Sequence, residues 1–123
     1  MLRYEPLIPV MARESLADFE VDGVKISAGQ PYMLSILSAN RDERVFEAPD
    51  TLDITRERAR SFSFGWGTHF CLGSNLARAE FQEVIPEFFA RCRNIELLVD
   101  EPRWVPFANL RRIEALPIRF DPR

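Results

Sequence analysis

Phe62-Ser63-Phe64-Gly65-Trp66-Gly67-Thr68-His69-Phe70-Cys71-Leu72-Gly73-Ser74-Asn75-Leu76-Ala77-Arg78-Ala79-Glu80 is the stretch on which the reading of this chain turns. It holds Gly65, Gly67 and Gly73, three of the five glycines in the sequence. Glycines gather where the backbone takes conformations barred to other residues, or where it is pressed against something flat. Cys71 stands just before a predicted helix start, where unpaired amide hydrogens and the positive end of the helix dipole favour an anion such as a thiolate. The other cysteine, Cys92, falls at the far end of that helix. One thiolate with no second cysteine nearby cannot complete a tetrahedral zinc site.

Downstream of the glycine-rich turn, Ser74 or Asn75 is a candidate cap for a helix running to about Arg93. Leu76, Ala77, Phe81, Val84, Ile85, Phe88, Phe89 and Cys92 recur at three- and four-residue spacings as one apolar stripe. Arg78, Glu80, Gln82, Glu83 and Glu87 lie opposite. Pro86 is discordant, because an interior proline removes a hydrogen bond and costs about 3 kcal/mol; it predicts a kink or two helical pieces. From Ile95 to Arg123 the pattern alternates again at Ile95–Val99 and Leu116–Phe120, with prolines between, which predicts short edge strands.

Upstream, Asp18–Val21 and Val24–Ile26 alternate around Asp22-Gly23, a two-residue hairpin signal. After a break at Ala28-Gly29-Gln30-Pro31, Tyr32–Leu37 is apolar enough to be a strand buried on both faces. Asn40 to Ser61 loses periodicity and predicts a long irregular connection, a kind of segment that usually serves a function.

The whole chain is 123 residues, 46% hydrophobic, enough for one domain over residues 1–123. Its 16 basic and 19 acidic residues leave a net charge of −3 with the signs interleaved, which excludes a nucleic-acid footprint. No apolar stretch approaches the roughly 20 residues a membrane helix needs. Nor is there a secretory signal, and two widely spaced cysteines then read as free thiols in a cytoplasmic protein.

A single soft ligand in an apolar, glycine-lined loop suits haem iron, and the segment Phe64-Gly65-x-Gly67-x-His69-x-Cys71-Leu72-Gly73 resembles the haem-binding signature of the cytochrome P-450 family. Leu76-Ala77-Arg78-x-Glu80 resembles the start of that family's helix after the cysteine. The resemblance covers nearly the entire chain. Leu2-Arg3-Tyr4-Glu5-Pro6 is similar to the end of the family's Glu-x-x-Arg helix, Ala39-Asn40-Arg41-Asp42 to the segment after its sheet, and Pro49-Asp50-x-Leu52-Asp53 to its meander.

The resemblance implies an α+β fragment: the C-terminal part of the mainly helical cytochrome P-450 fold, with small sheets, an irregular meander, the cysteine loop, one long helix and terminal strands. It implies haem b as cofactor and Cys71 as the axial ligand. Phe64, Gly65, Gly67, Leu72, Gly73 and Ala77 would line the same haem face, and Arg13 and His69 would bind the propionates. It also implies a small organic substrate, dioxygen, and an electron-donor ferredoxin with its reductase, with Arg56, Arg58 and Arg60 as a docking patch.

Two departures accompany it. The glutamate partner of Arg3 would stand one place before Met1, and Thr51 occupies a meander position where many members carry arginine or histidine. The family's oxygen-activating helix and most substrate-contacting segments lie upstream of this stretch. The parent is therefore expected to be a monooxygenase and the 123 residues alone to be inactive, without catalytic residues of their own. The alternative is a truncated remnant with weak or no haem binding.

Overall fold

The computed structural model describes residues 1–57, 60–106 and 110–123. Contacts divide them into two compact units, one of Met1–Ser63 with Asn109–Arg111, the other of Phe64–Ala108 with Arg112–Arg123.

In the first unit, β1 (Val10–Glu14), β2 (Phe19–Val21), β3 (Val24–Ile26) and β4 (Pro31–Ser35) form two antiparallel pairs. The β2–β3 hairpin matches the expectation from Asp22-Gly23. Both turn residues have positive φ, 49° and 81°, the geometry that lets a two-residue turn follow strand twist. β1 pairs with β4, placing Val10 opposite Ser35, Arg13 opposite Tyr32 and Glu14 opposite Pro31.

β4 does not continue as an apolar strand. It stops at Ser35, whose hydroxyl accepts from the amide of Ser38 and caps a short helix α1 (Ile36–Ala39). Met33 and Leu34 are exposed, so the strand is not buried on both faces. An apolar run alone cannot tell strand from helix, and the capping serine decides it here.

After α1 the chain runs irregularly through the meander, as expected. Order there comes from side chains rather than a ladder. Arg3 donates through Nη1 to the carbonyls of Asn40 at 2.7 Å and Pro49 at 3.0 Å, and its guanidinium lies 4.9 Å from the centroid of the buried Phe46 ring. Arg41 donates to the carbonyl of Tyr4 at 3.0 Å, stacks over that ring at 4.6 Å and pairs with Asp50 at 3.1 Å. Arg3 thus has firm partners within the chain: the carbonyls of Asn40 and Pro49 meet its guanidinium. Burial, followed by the nearby Arg56 and Arg41, lowers its pKa from the ordinary arginine value.

The second unit holds the cysteine loop, α2 (Ser74–Arg91), β5 (Cys92–Leu97) and β6 (Ile118–Pro122). α2 is one continuous helix through Pro86, so the expected division into pieces does not occur. Its cap is Gly73 rather than Ser74 or Asn75, and no side chain bonds the first turn. β5 and β6 pair antiparallel, Cys92 opposite Pro122 and Leu97 opposite Ile118, with an irregularity after Arg93 where Asn94 takes φ 49°. The tail strands are thus present as read, two to three residues from the expected positions.

The apolar stripe of α2 is only partly covered. Cys92 is buried, whereas Leu76, Phe81, Val84 and Phe89 are exposed. Edge-on ring contacts link Phe88 to Phe89 and to Phe120 of β6, and these, with Cys92, anchor the helix to the sheet. No helix among the described residues is long and apolar enough to cross a membrane.

Candidate functional site

The glycine-rich segment folds into a loop closed by its own backbone. The amide of Cys71 donates to the carbonyl of Phe64 at 2.8 Å, and the amide of Phe70 to the carbonyl of Gly67 at 3.1 Å across a single 3₁₀ turn. Gly65 has φ 75° and Gly67 φ 68°, a region that costs an L-residue roughly 1–2 kcal/mol. At Gly65 a side chain would also meet backbone, since an added Cβ would lie 3.2 Å from the carbonyl oxygen of His69. An added Cβ at Gly67 would meet nothing of this chain within 4 Å, so within the loop itself that glycine answers to conformation.

From this loop the chain passes straight into α2. The amide of Ser74 donates to the carbonyl of Cys71 at 3.2 Å and that of Ala77 to Gly73 at 2.9 Å. Gly73 brings its Cα close to the sulfur: a Cβ there would stand 3.9 Å from Sγ of Cys71. The thiol therefore sits beside a helix start that carries no side-chain cap, where the backbone amides and the dipole attract negative charge.

Around the sulfur the surface is apolar and open. Cys71 is a free, exposed thiol. Leu72 is fully exposed, and Trp66 and Phe70 are more than half or half exposed. Single exposed apolar residues are ordinary, but a run of them flanking an accessible thiol is a surface prepared for an apolar ligand. Phe64 is held in place on both sides. Its ring meets Phe70 edge-on at 6.4 Å, and the guanidinium of Arg78 lies 5.1 Å from its centroid. Arg78 looked like a member of the solvent face of α2; its contact with Phe64 could have been found only by noting that the first turn of the helix returns over the loop.

Eight of the expected site residues, Phe64, Gly65, Gly67, His69, Cys71, Leu72, Gly73 and Ala77, thus belong to one loop and helix start in the second unit. Arg13 belongs to the first unit, in β1, where its Nη1 donates to the carbonyl of Ala12 at 2.8 Å. Of the three arginines read as a docking patch, Arg56 is committed to the meander, donating to the carbonyls of Glu47 at 2.6 Å and Ala48 at 3.2 Å. Arg60 is exposed. Arg58 lies outside the described residues.

Donor type and surroundings suit a haem. One thiolate-forming residue stands in a loop whose glycines keep side chains off the approach, flanked by exposed apolar groups. Comparison with known proteins agrees. The model of the family described as "Cytochrome P450" matches residues 1–103. The biotin biosynthesis cytochrome P450 of Bacillus subtilis (strain 168) is 40% identical over 120 residues, which cover 98% of this chain and 30% of that protein. Luteothin monooxygenase of Streptomyces thioluteus is 41% identical over 122 residues, 98% of this chain and 30% of that protein. Among solved structures, P450BioI in complex with an acyl carrier protein ligated to hexadec-9Z-enoic acid superposes with a TM-score of 0.91 at 39% identity, covering 98% of this chain and 31% of that one. CYP109Q5 from Chondromyces apiculatus gives a TM-score of 0.93 at 33% identity, covering 99% and 32%. The chain therefore spans about 30% of the length of the curated relatives it matches.

Proposed function

Because this chain belongs to the cytochrome P450 family and has the fold of that family's C-terminal portion, we propose that residues 1–123 form the haem-binding portion of a haem-thiolate monooxygenase, with Cys71 as the ligand to the iron of haem b. The observation that carries this reading is the open thiol of Cys71 in a closed, glycine-turned loop at an uncapped helix start. When bound, haem would supply dioxygen activation and the transfer of one oxygen atom to a small organic substrate.

What the chain itself contributes is donation, orientation and exclusion. Cys71 would present its sulfur as an anion, favoured by the amides of the α2 start. Phe64, wedged between Phe70 and Arg78, would keep water from the sulfur. Gly65 and Gly67 would let backbone lie close to a flat ring, with Leu72, Gly73 and Ala77 completing the apolar contact. Arg13 and His69 would donate to the propionate carboxylates, as guanidinium forks do well.

Substrate choice and oxygen chemistry would depend on chain beyond this third of the family's length, so these residues by themselves would not hydroxylate. The exposed stripe of α2 at Leu76, Phe81, Val84 and Phe89 supports that view, because in a longer chain it would be covered. A ferredoxin and its reductase would supply electrons in the cytoplasm. Of the arginines read as a docking patch, Arg60 is exposed and Arg56 is engaged with the carbonyls of Glu47 and Ala48.

The test is spectroscopic. The full-length haem protein that carries this chain, reduced under carbon monoxide, is expected to show the red-shifted Soret band of a ferrous thiolate complex, and Cys71→Ala is expected to lose it. Survival of the band in the variant would contradict the ligand assignment.

A further inference from the structure

Asn40 is wholly buried, with a relative exposure of 0%. Its backbone ends α1, the amide donating to the carbonyl of Ile36 at 2.9 Å. That duty leaves the side chain free, and the side chain reaches far along the sequence. Oδ1 accepts from the amide of Phe62 at 2.8 Å, and Nδ2 donates to Oγ of Ser63 at 3.0 Å. Ser63 in turn donates to the carbonyl of Leu2 at 2.7 Å. The carbonyl of Asn40 receives Arg3 at 2.7 Å.

A buried amide is costly unless both its ends are bonded, and an apolar residue would fill the same space more cheaply. Here both ends are bonded, to two successive residues. Phe62 and Ser63 are the last residues before Phe64, whose carbonyl accepts from the amide of Cys71. Gripping one main-chain amide and the next side chain holds both the place and the rotation of residues 62 and 63, the irregular chain that leads into the loop.

We propose that Asn40 is a positioning residue for the Cys71 thiolate, acting through Phe62, Ser63 and the Phe64 carbonyl. This rests on the haem-thiolate reading above. Aspartate is not an equivalent: it has no donor for Ser63, whose hydroxyl would have to turn from Leu2 to reach it.

The experiment compares wild type, Asn40→Ala, Asn40→Asp and Ser63→Ala in the full-length haem protein that carries this chain. Far-UV circular dichroism reports folding, and the ferrous carbon monoxide spectrum at one pH reports the share of protein that shows the thiolate band. Asn40→Ala and Asn40→Asp are expected to lower that share severalfold while the fold is kept. Ser63→Ala, which keeps the Phe62 bond, is expected to give a smaller loss in the same direction. A folded Asn40→Ala protein with the wild-type share overturns the proposal. Should Asn40→Ala fail to fold, the milder Ser63→Ala decides, and a wild-type share there overturns it equally. A wild type with no thiolate signal sinks the functional reading itself, and the positioning role with it.

Discussion

The amide of Cys71 donates to the carbonyl oxygen of Phe64 at 2.8 Å, so the residue that bears the sulfur is tied to the aromatic residue at the opposite mouth of its own loop. That bond can form only if the chain between them turns back on itself. Gly65 and Gly67, both at positive φ, make the turn.

Alanine at the two glycines is therefore expected to have unequal effects. Gly67→Ala should cost roughly 1 kcal/mol from backbone conformation alone. Gly65→Ala should cost more, since its Cβ also meets the His69 carbonyl at 3.2 Å. Urea unfolding of both variants measures the order, and the reverse order would refute the account of Gly65.

Arg3 is expected to matter for stability through its carbonyl partners. Arg3→Met keeps much of the contact with Phe46 but removes both hydrogen bonds, to Asn40 and Pro49. The expected loss is about 1.5–3 kcal/mol, typical of bonds from a charged donor. Arg3→Lys, which can keep one bond, should lose less. Thermal unfolding midpoints check the ranking.

Arg13 is expected to behave in the opposite way. Its side chain donates to the neighbouring Ala12 carbonyl within β1, so Arg13→Ala should leave the melting midpoint of the haem-free protein almost unchanged. Haem affinity should fall severalfold if the guanidinium holds a propionate. Unchanged affinity would remove Arg13 from the site.

Asp42 gives a pH prediction. Hydrogen bonds from the Arg44 guanidinium, and then from the Arg44 amide, hold its pKa down at about 2 against the usual 3.8. A carboxylate with a depressed folded pKa adds stability above its unfolded value, and that contribution fades as pH falls from 3.8 through about 2. The carboxylate is only partly buried and its partner Arg44 is exposed, so the effect on stability is small. Carbon-detected NMR titration should place the Asp42 midpoint near 2, and in Arg44→Ala it should return toward the usual value.

Much of this architecture was legible because its signals are local. Asp22-Gly23 specified the hairpin through positive φ, the glycines around Cys71 specified the loop, and the periodicity after Gly73 specified α2. The errors came where a local signal had two readings. Tyr32–Leu37 carried apolar residues without saying that Ser35 would cap a helix, and Pro86 allowed a kink or two pieces, of which the division did not occur. The apolar stripe of α2 marked one face of the helix without saying what covers it, because burial requires a facing surface and that depends on what else is packed against it.

By itself, then, the order of residues determined the chemistry on offer: a cysteine set apart from the only other one, glycines clustered around it, and a helix start behind the sulfur. These follow from conformational preference and short-range spacing. Tertiary structure decided which distant groups meet. That Asn40 grips Phe62 and Ser63, that Arg3 meets the carbonyls of Asn40 and Pro49, and that Arg56 turns into the meander are consequences of folding remote segments together. Hydrogen bonds between such segments carry no periodic trace, because each depends on where the whole chain brings its partners.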